Sequence, residues 1–319
     1  MSTQTETPIL EKAASTRLVA WRQILWVTLA AVALYFVVRR LPTGTNLSHM
    51  DFRAGTGSIE FCDPANPQFM PVVAVRSPVE MTLTGEGPSM ESREARLTLM
   101  LKTATGKPIT PEDLLVVHTQ KLHLLIVDPT LTDYQHVHPQ AGSKNGEWTF
   151  TFTPKRAGAY RVFADFTPSA TGRGLYSSAD LFVKSSEAVA SPPGAPPVPA
   201  KNWVYEIPGY RFTLQPSVTP IRAGKQVELT FLVASSDGGA VPLQTIMGAY
   251  AHLVAFDADR SGFAHLHPNE TDPSWAPDSR HPRLTFKLTI PRAGRYVIWA
   301  QVNVGGKELA VPFWFEVAE

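Results

Sequence analysis

Two segments of the chain carry three histidines at the same spacing. The first segment is KLHLLIVDPTLTDYQHVHP at positions 121–139, and the second is YAHLVAFDADRSGFAHLHP at positions 250–268. A constant shift of 129 residues places the three histidines of one segment under those of the other. Imidazole nitrogens bind copper, zinc or nickel at ~2.0 Å, and three of them on one rigid sheet face can hold such an ion. The spacing therefore predicts a metal site in each segment.

A further donor precedes the first histidine of each segment by five residues. It is His118 in the first copy and Met247 in the second. Copper accepts both imidazole and thioether ligands, whereas zinc and nickel gain little from a thioether. Copper is therefore the expected ion, with zinc as the alternative. The candidate metal ligands are His118, His123, His136, His138, Met247, His252, His265 and His267.

The repeated histidines also allow a structural interpretation without any metal. Two histidines separated by one residue on a strand can fill a half-buried surface, with each ring bonded to a backbone carbonyl or to Asp128 or Asp257 nearby. Duplication of the chain would copy that packing as readily as it would copy a metal site. His49 and His281 lie outside the repeat and are expected on the surface.

A hairpin in each segment would bring its three histidines together. A symmetric antiparallel register sets Leu125 opposite His136 and Val254 opposite His265, and it brings the first histidine of each segment opposite the last. Directly opposed residues have Cβ atoms ~5 Å apart, and side chains two residues apart share a face of the strand. We therefore expect three imidazoles on one patch of each hairpin.

Strand-like runs that could position these hairpins occupy two stretches of the chain. Short alternating runs separated by turn residues are typical of an antiparallel sandwich. FTPKRAGAYRVFADF aligns with LTIPRAGRYVIWAQV at a shift of 136, so the second stretch repeats the first with seven extra residues. Such a duplication predicts two copies of one domain. The Cys, Trp and Cys of true immunoglobulin domains are missing, so the immunoglobulin-like character is architectural.

The expected fold class is all-β, with two tandem immunoglobulin-like β-sandwich domains after one N-terminal transmembrane helix. Pro-rich composition between the two copies favours an extended spacer. The predicted boundaries are 1–17 for a cytoplasmic tail, 18–38 for a transmembrane anchor, 39–78 for an extended approach segment, 79–184 for the first sandwich, 185–202 for a Pro-rich linker and 203–319 for the second sandwich.

The predicted anchor reads LVAWRQILWVTLAAVALYFVV. Its length is about the ~20 residues that a helix needs to cross a ~30 Å hydrocarbon layer. No small-x-small cleavage motif follows, which favours an uncleaved anchor over a signal peptide. Basic residues on its N-terminal side slightly outweigh those after it, which favours a cytoplasmic N-terminus. The expected location is a bacterial inner membrane, crossed once, with the C-terminal domains in the periplasm.

Composition and missing motifs exclude several other classes of protein. A net charge of +1 and 18% charged residues argue against a nucleic-acid partner. Cys62 is the single cysteine and lies outside both repeats, so the chain has neither an internal disulfide nor a type 1 blue copper centre. GxSxG, HExxH, P-loop and CxxCH motifs are absent from the sequence, and we expect no enzymatic activity.

One family resemblance follows from these motifs. A strand histidine, then DYQHVHP or GFAHLHP, then AGAYRVFADF or AGRYVIWAQV resembles the YtkA-like and related extracytoplasmic β-sandwich domains found near copper and other heavy-metal handling systems. The similarity covers residues 95–184 and 225–318. The resemblance implies a periplasmic, non-enzymatic, metal-associated domain, with the six histidines of the two segments as its ligand positions.

Two functions are consistent with the sequence. The first is a membrane-anchored, non-catalytic periplasmic accessory protein with a copper site in each sandwich, which buffers the ion or passes it to a metal-handling partner. The alternative is a structural accessory subunit that docks on and stabilises an inner-membrane complex, such as a respiratory or photosynthetic electron-transfer complex, with structural histidines.

Overall fold

The chain divides into a helical unit, residues 1–45, and a β unit, residues 46–319. The structure is a computed structural model. It describes residues 9–40, 47–52, 69–74, 77–185, 199–270 and 276–319. Cys62 and most of the predicted Pro-rich linker lie outside these residues.

The helical unit contains helix α1, Ile9–Arg40. This helix is longer than the predicted anchor of residues 18–38 and begins inside the predicted cytoplasmic tail. Among the helices in the described part of the chain, none combines the length and the apolarity that a membrane crossing needs. The transmembrane anchor stays a prediction from the sequence.

The first sandwich packs two sheets together. Its strands are β1 (Val79–Gly85), β2 (Ser89–Met90), β3 (Ala95–Thr103), β4 (Leu122–Val127), β5 (Tyr134–Val137), β6 (Gln140–Ala141), β7 (Glu147–Phe152), β8 (Gly158–Phe166) and β9 (Leu175–Lys184). One sheet has the order β1-β3-β7-β6, and the other has the order β2-β9-β8-β4-β5. These orders match the two sheets of an immunoglobulin-like sandwich.

The second sandwich repeats this arrangement. Its strands are β10 (Val204–Ile207), β11 (Tyr210–Pro216), β12 (Ile221–Arg222), β13 (Gln226–Ser235), β14 (Leu243–Gln244), β15 (His252–Asp257), β16 (Phe263–Leu266), β17 (Arg283–Thr289), β18 (Gly294–Val304) and β19 (Lys307–Ala318). The sheet orders are β10-β11-β13-β17 and β12-β19-β18-β15-β16, with β14 also paired to β18. The predicted all-β fold of two sandwiches is confirmed.

A tyrosine at the start of an equivalent strand marks each sandwich. The Tyr296 hydroxyl donates to the carbonyl of Arg292 at 3.0 Å, and the Tyr160 hydroxyl accepts from the backbone N–H of Arg156 at 3.0 Å. Both bonds reach four residues upstream, as in the tyrosine corner of immunoglobulin-like domains. These bonds fix the turn that leads into β8 and into β18.

The central strands of both sandwiches are buried on both faces. Leu124 and Ile126 on β4 point into the core of the first sandwich, and Leu253 on β15 points into the core of the second. Leu125 and Val254, on the opposite faces of these strands, belong to a separate apolar cluster. Because successive side chains of a strand alternate between faces, one strand serves two cores.

The separate cluster is the interface between the two sandwiches. It joins residues of β4, β5 and β8 to residues of β15, β16 and β18, including the ring pairs Phe163–Phe256 at 5.9 Å and Tyr134–Trp299 at 5.7 Å between centroids. Its members are Met70, Val72, Leu125, Val127, Leu131, Tyr134, Phe163, Val254, Phe256, Phe263, Val297, Trp299 and Trp314. Full burial of such a side chain contributes about 1.5–3 kcal/mol, so this interface is a strong joint.

Residues 69–74 lie along the edge of β16 that does not pair with β15. The backbone N–H of Met70 donates to the carbonyl of Phe263 at 2.8 Å, and the N–H of Phe263 donates to the carbonyl of Met70 at 3.1 Å. The N–H of Val73 donates to the carbonyl of Ser261 at 2.8 Å. Leu47 is buried in the core of the first sandwich. The described parts of the predicted approach segment therefore pack onto both sandwiches.

Substitution of Gly262 tests this edge contact. A Cβ atom at position 262 would lie 1.8 Å from the carbonyl oxygen of Met70. We expect Gly262→Ala to lower the free energy of unfolding by about 1–3 kcal/mol, because the segment must shift away from the strand. Urea unfolding of the full chain measures the change. Gly87→Ala is the matched control, since its Cβ would meet nothing within 4 Å; equal effects of both substitutions would contradict the contact.

Candidate metal centre

The hairpins that carry the histidines have the predicted register. Leu125 pairs with His136 on β4 and β5, and Val254 pairs with His265 on β15 and β16. Each histidine therefore lies on the strand face that also carries an interface residue such as Leu125. The imidazoles point away from the core of their own sandwich and toward the other sandwich.

Three imidazoles converge at the end of each hairpin. We define the first triad as His123, His136 and His138, and the second triad as His252, His265 and His267. Within each triad, one ligand atom from each residue lies within 4.8 Å of the others, so each triad could hold a metal ion. The prediction that three rings share one patch of each hairpin is confirmed.

The two triads lie side by side at the interface between the sandwiches. The ring centroids of His136 and His265 are 5.3 Å apart, and those of His123 and His265 are 5.7 Å apart. The sequence predicted one site in each sandwich without a relation between them. The structure instead gives one continuous histidine cluster, because both hairpins contribute the same strand face to a shared interface.

His118 lies against the triad of the opposite sandwich. Its ring stacks on that of His267, with centroids 3.5 Å apart and an interplanar angle of 17°, whereas its centroid is 6.4 Å from that of His123. The sequence predicted His118 as a donor to the first triad, but the structure places it nearer to the second. Met247 occupies the equivalent turn and is partly buried.

Equivalent tight turns present His118 and Met247. The φ angles are +49° at His118 and +68° at Thr119, and they are +51° at Met247 and +78° at Gly248. Two successive positive φ angles are typical of a type I′ turn. Residues other than glycine rarely adopt this conformation, and such strain is found often at functional sites.

The outer nitrogen of one histidine in each triad is bonded to a backbone carbonyl. His123 Nε2 donates to the carbonyl of Val117 at 3.0 Å, and His252 Nε2 donates to the carbonyl of Ile246 at 2.9 Å. A carbonyl only accepts, so each Nε2 carries the hydrogen of the neutral ring. The Nδ1 atoms of these two rings therefore present lone pairs toward their triads.

A second histidine in each triad is held by the opposite sandwich. His136 Nδ1 donates to Gln301 Oε1 at 3.2 Å, and His265 Nδ1 donates to Asp165 Oδ2 at 3.1 Å. Asp165 on β8 and Gln301 on β18 are equivalent under the shift of 136 residues. These bonds leave the Nε2 lone pairs of both rings facing their own triads.

Asp165 and Gln301 were not predicted from the sequence. Each stands as the polar residue of a short apolar run, FADF or WAQV, at aligned positions of the repeat. That pattern was available, but it does not say that each side chain reaches across to the other copy.

Lone pairs face each other inside both triads. His123 Nδ1 is 3.1 Å from His136 Nε2, and His252 Nδ1 is 3.3 Å from His265 Nε2. Two lone pairs at this distance repel unless a proton or a metal ion lies between them. Ligand nitrogens bound at ~2.0 Å in a tetrahedral site lie about 3.3 Å apart, so the spacing suits a metal ion.

The remaining ring of each triad has a free buried nitrogen. Among the described residues, neither His138 Nε2 nor His267 Nε2 has a hydrogen-bond partner, although both atoms are buried. Buried polar atoms are almost always bonded, and each exception needs an explanation. A role as the third metal ligand explains both atoms. A cavity of about 550 Å³ also borders His138.

Burial keeps these rings neutral. It lowers the pKa of His138 and of His252 from 6.5 to about 4. It lowers the pKa of His136, His265 and His267 well below 6.5, with further lowering from neighbouring histidines. Neutral imidazole is the form that binds metal ions. Protonation is therefore a costly way to relieve the repulsion inside the triads.

The structural interpretation is supported in part: backbone carbonyls bond His123 and His252, as it expected. The two carboxylates that it named as partners bond elsewhere. The Asp128 carboxylate accepts from the backbone N–H groups of Thr132 and Asp133 at 2.7 and 2.8 Å. The Asp257 carboxylate accepts from the N–H of Ser261 at 2.7 Å. His281 lies on the surface, as predicted, 3.6 Å from Asp278. The side chain of His49 lies outside the described part of the structure.

The fold and the histidine cluster define a class of protein: two tandem immunoglobulin-like β-sandwiches with imidazole triads at their interface. The chain belongs to the family described as a domain of unknown function, DUF8832, whose model matches residues 74–176 and 205–319. One match falls on each sandwich. The YtkA-like resemblance stays a prediction.

Comparison with solved structures gives only distant similarity. Fibronectin(III)-like modules of CbhA from Clostridium thermocellum are 11% identical, with a TM-score of 0.19, over 74% of this chain and 93% of that chain. A DUF4785 family protein from Legionella pneumophila is 10% identical, with a TM-score of 0.23, over 74% of this chain and 56% of that chain. Neither similarity bears on function. No curated protein matches the chain significantly.

Acid should destabilise the metal-free protein. Below pH 6.5 the histidines of the unfolded chain take up protons, whereas folded His252, with its pKa of about 4, stays neutral. The unfolded state then binds more protons, so stability falls between pH 6.5 and 4, by about 2 kcal/mol at pH 5 for His252 alone. Urea unfolding of chelator-treated protein at pH 7.5 and pH 5 measures this. The control His281→Ala removes a surface histidine and should leave the loss of stability between the two pH values unchanged. Equal free energies of unfolding at pH 7.5 and pH 5 would contradict the conclusion that the buried rings are neutral.

Proposed function

We propose that this protein is a non-catalytic metal-binding protein that holds two transition-metal ions, one in each histidine triad, where its two sandwiches meet. The observation that carries the proposal is the pair of facing imidazole nitrogens in each triad, 3.1 and 3.3 Å apart. The outer nitrogens of the same rings are already bonded to acceptors, so the inner lone pairs need a cation.

The hydrogen bonds made by the outer ring nitrogens favour metal binding over a purely structural role for these histidines. Metal-bound histidines almost always donate their second N–H to a carbonyl or a carboxylate, which fixes the ring orientation. His123 and His252 donate to carbonyls, and His265 donates to a carboxylate. A structural histidine would satisfy both ring nitrogens. Here the inner nitrogens of these rings are paired only with one another, and in the described part of the chain His138 Nε2 and His267 Nε2 have no hydrogen-bond partner.

Copper is the ion that we propose, with zinc as the alternative. Imidazole sites suit both ions, and Cu²⁺ binds most tightly of the divalent ions of the first transition row. Met247 lies at the turn equivalent to that of His118, and its thioether is a soft donor of the kind that suits copper. The three imidazoles of a triad leave one coordination position, which a thioether or an incoming donor or acceptor molecule can occupy. This arrangement suits a protein that buffers copper or passes it to a partner.

The proposed setting is the periplasmic face of a bacterial inner membrane, reached through the segment at residues 18–38. Its support is the distribution of basic residues around that segment and the missing cleavage motif, and membrane fractionation is its test. Docking on an inner-membrane complex stays a prediction, because the described contacts identify no partner.

Removal of one ligand from each triad tests the metal proposal. We expect the wild-type chain to retain two copper ions after dialysis, and His138→Ala and His267→Ala to retain one ion each, because two imidazoles bind far more weakly than three. Metal analysis and protein quantification give the ratio, and circular dichroism checks the fold.

His281→Ala is the matched control for those variants, since it removes an exposed histidine outside both triads. It should retain two ions. A wild-type chain that retains no copper and no zinc would overturn the proposal and leave the structural interpretation.

A further inference from the structure

We propose that the two triads bind divalent ions with unequal affinity and that the second triad binds more tightly. The reason is that His265 donates a hydrogen bond to the carboxylate of Asp165, whereas His136 donates one to the neutral amide of Gln301. This inference rests on the proposed function and adds to it a difference between the sites. It also assigns roles to Asp165 and Gln301, as positioning residues that act through the ligands.

Asp165 and Gln301 occupy equivalent places. Each reaches across the interface from the central strand of the opposite sandwich, and each accepts from the Nδ1–H of an interface histidine, at 3.1 Å for Asp165 and 3.2 Å for Gln301. Both bonds orient the ring in the same way. The difference between them is the negative charge of Asp165.

That charge strengthens the second triad in two ways. A carboxylate that accepts from a metal-bound histidine makes the ring a better donor, and loss of such a partner typically weakens metal binding 10–100-fold. A negative charge close to a divalent cation also attracts it directly, and burial limits screening by salt. The side chain of Asp165 is 20% exposed, and that of His265 is 5% exposed.

The Asp165 charge is not cancelled by a basic side chain. Within the described part of the chain, no lysine or arginine forms an ion pair with it, and the ring of His265 that donates to it is neutral. Its negative charge is therefore available to a bound cation. An ion in the first triad lacks such a hydrogen-bonded carboxylate, since Gln301 is neutral.

Asp165 also lies near the first triad, so loss of its charge is expected to change the metal affinity of both triads. It pairs with His123 across β4 and β8, so its charge reaches that triad through space. Its hydrogen bond, however, goes to His265 in the second triad. Loss of the charge should therefore weaken both triads, and the second triad more.

Zinc titrations of single-site chains measure the difference. His138→Ala leaves the second triad intact, and His267→Ala leaves the first. Competition with a chromophoric zinc chelator gives each dissociation constant in the full chain. We expect the His138→Ala chain to bind Zn²⁺ at least about 10-fold more tightly than the His267→Ala chain.

Removal of the charge at position 165 and addition of a charge at position 301 test whether the carboxylate causes the difference in affinity. Asp165→Asn keeps an oxygen that accepts from His265, so the fold and ring orientation are retained while the charge is lost. We expect it to weaken Zn²⁺ binding about 10–100-fold in the His138→Ala chain and less in the His267→Ala chain. Gln301→Glu should tighten binding about 10-fold in the His267→Ala chain, a gain that damage to the fold would not produce.

The outcomes separate this inference from the proposed function. Equal affinities of the two single-site chains, or equal effects of Asp165→Asn in both, would overturn the inference while two metal sites stand. A wild-type chain that binds no Zn²⁺ and no copper would overturn the proposed function and the inference with it. If the Asp165→Asn variant does not fold, Gln301→Glu still tests the inference. Zn²⁺ binding that is not tightened by Gln301→Glu in the His267→Ala chain would contradict it.

Discussion

The packing of one sheet from each sandwich against the other is the constraint on which the rest of the structure depends. β4 and β15 send alternate side chains into their own cores and into the shared interface. At one end of that interface the side chains are aromatic and aliphatic, and they hold the sandwiches together. At the other end the same strand faces carry histidines. The position of the histidine cluster therefore follows from the strand alternation that builds the apolar joint.

The candidate metal centre belongs to the pair of domains and not to either domain alone. Each hairpin supplies the three imidazoles of its triad, but the bond that orients His136 comes from Gln301 and the bond that orients His265 comes from Asp165. An isolated sandwich would expose its interface residues and lose that bond. Domain packing and ligand orientation are thus linked through the same two strands, β8 and β18.

Local patterns predicted the parts of the structure that depend on local geometry. The two-residue period of a strand gave the hairpin register, with Leu125 opposite His136, and duplication gave the second copy. Docking of one sandwich on the other depends on contacts between distant residues, which periodicity does not encode. Asp165 and His118 were therefore missed or assigned to the wrong triad, and the packing of residues 69–74 on β16 was not foreseen. The uninterrupted apolar run LLIV is typical of a strand buried on both faces, but it was not used to predict the interface.

The covalent joining of two sandwiches has a consequence for symmetry. Two identical single-domain subunits that met through this surface would form a twofold homodimer, in which any residue at the position of Asp165 appears twice. Both triads would then have the same residue bonded to their interface histidine. A gene that encodes both copies on one polypeptide lifts this restriction, and the Asp165–Gln301 difference is a change that a pair of identical subunits cannot make.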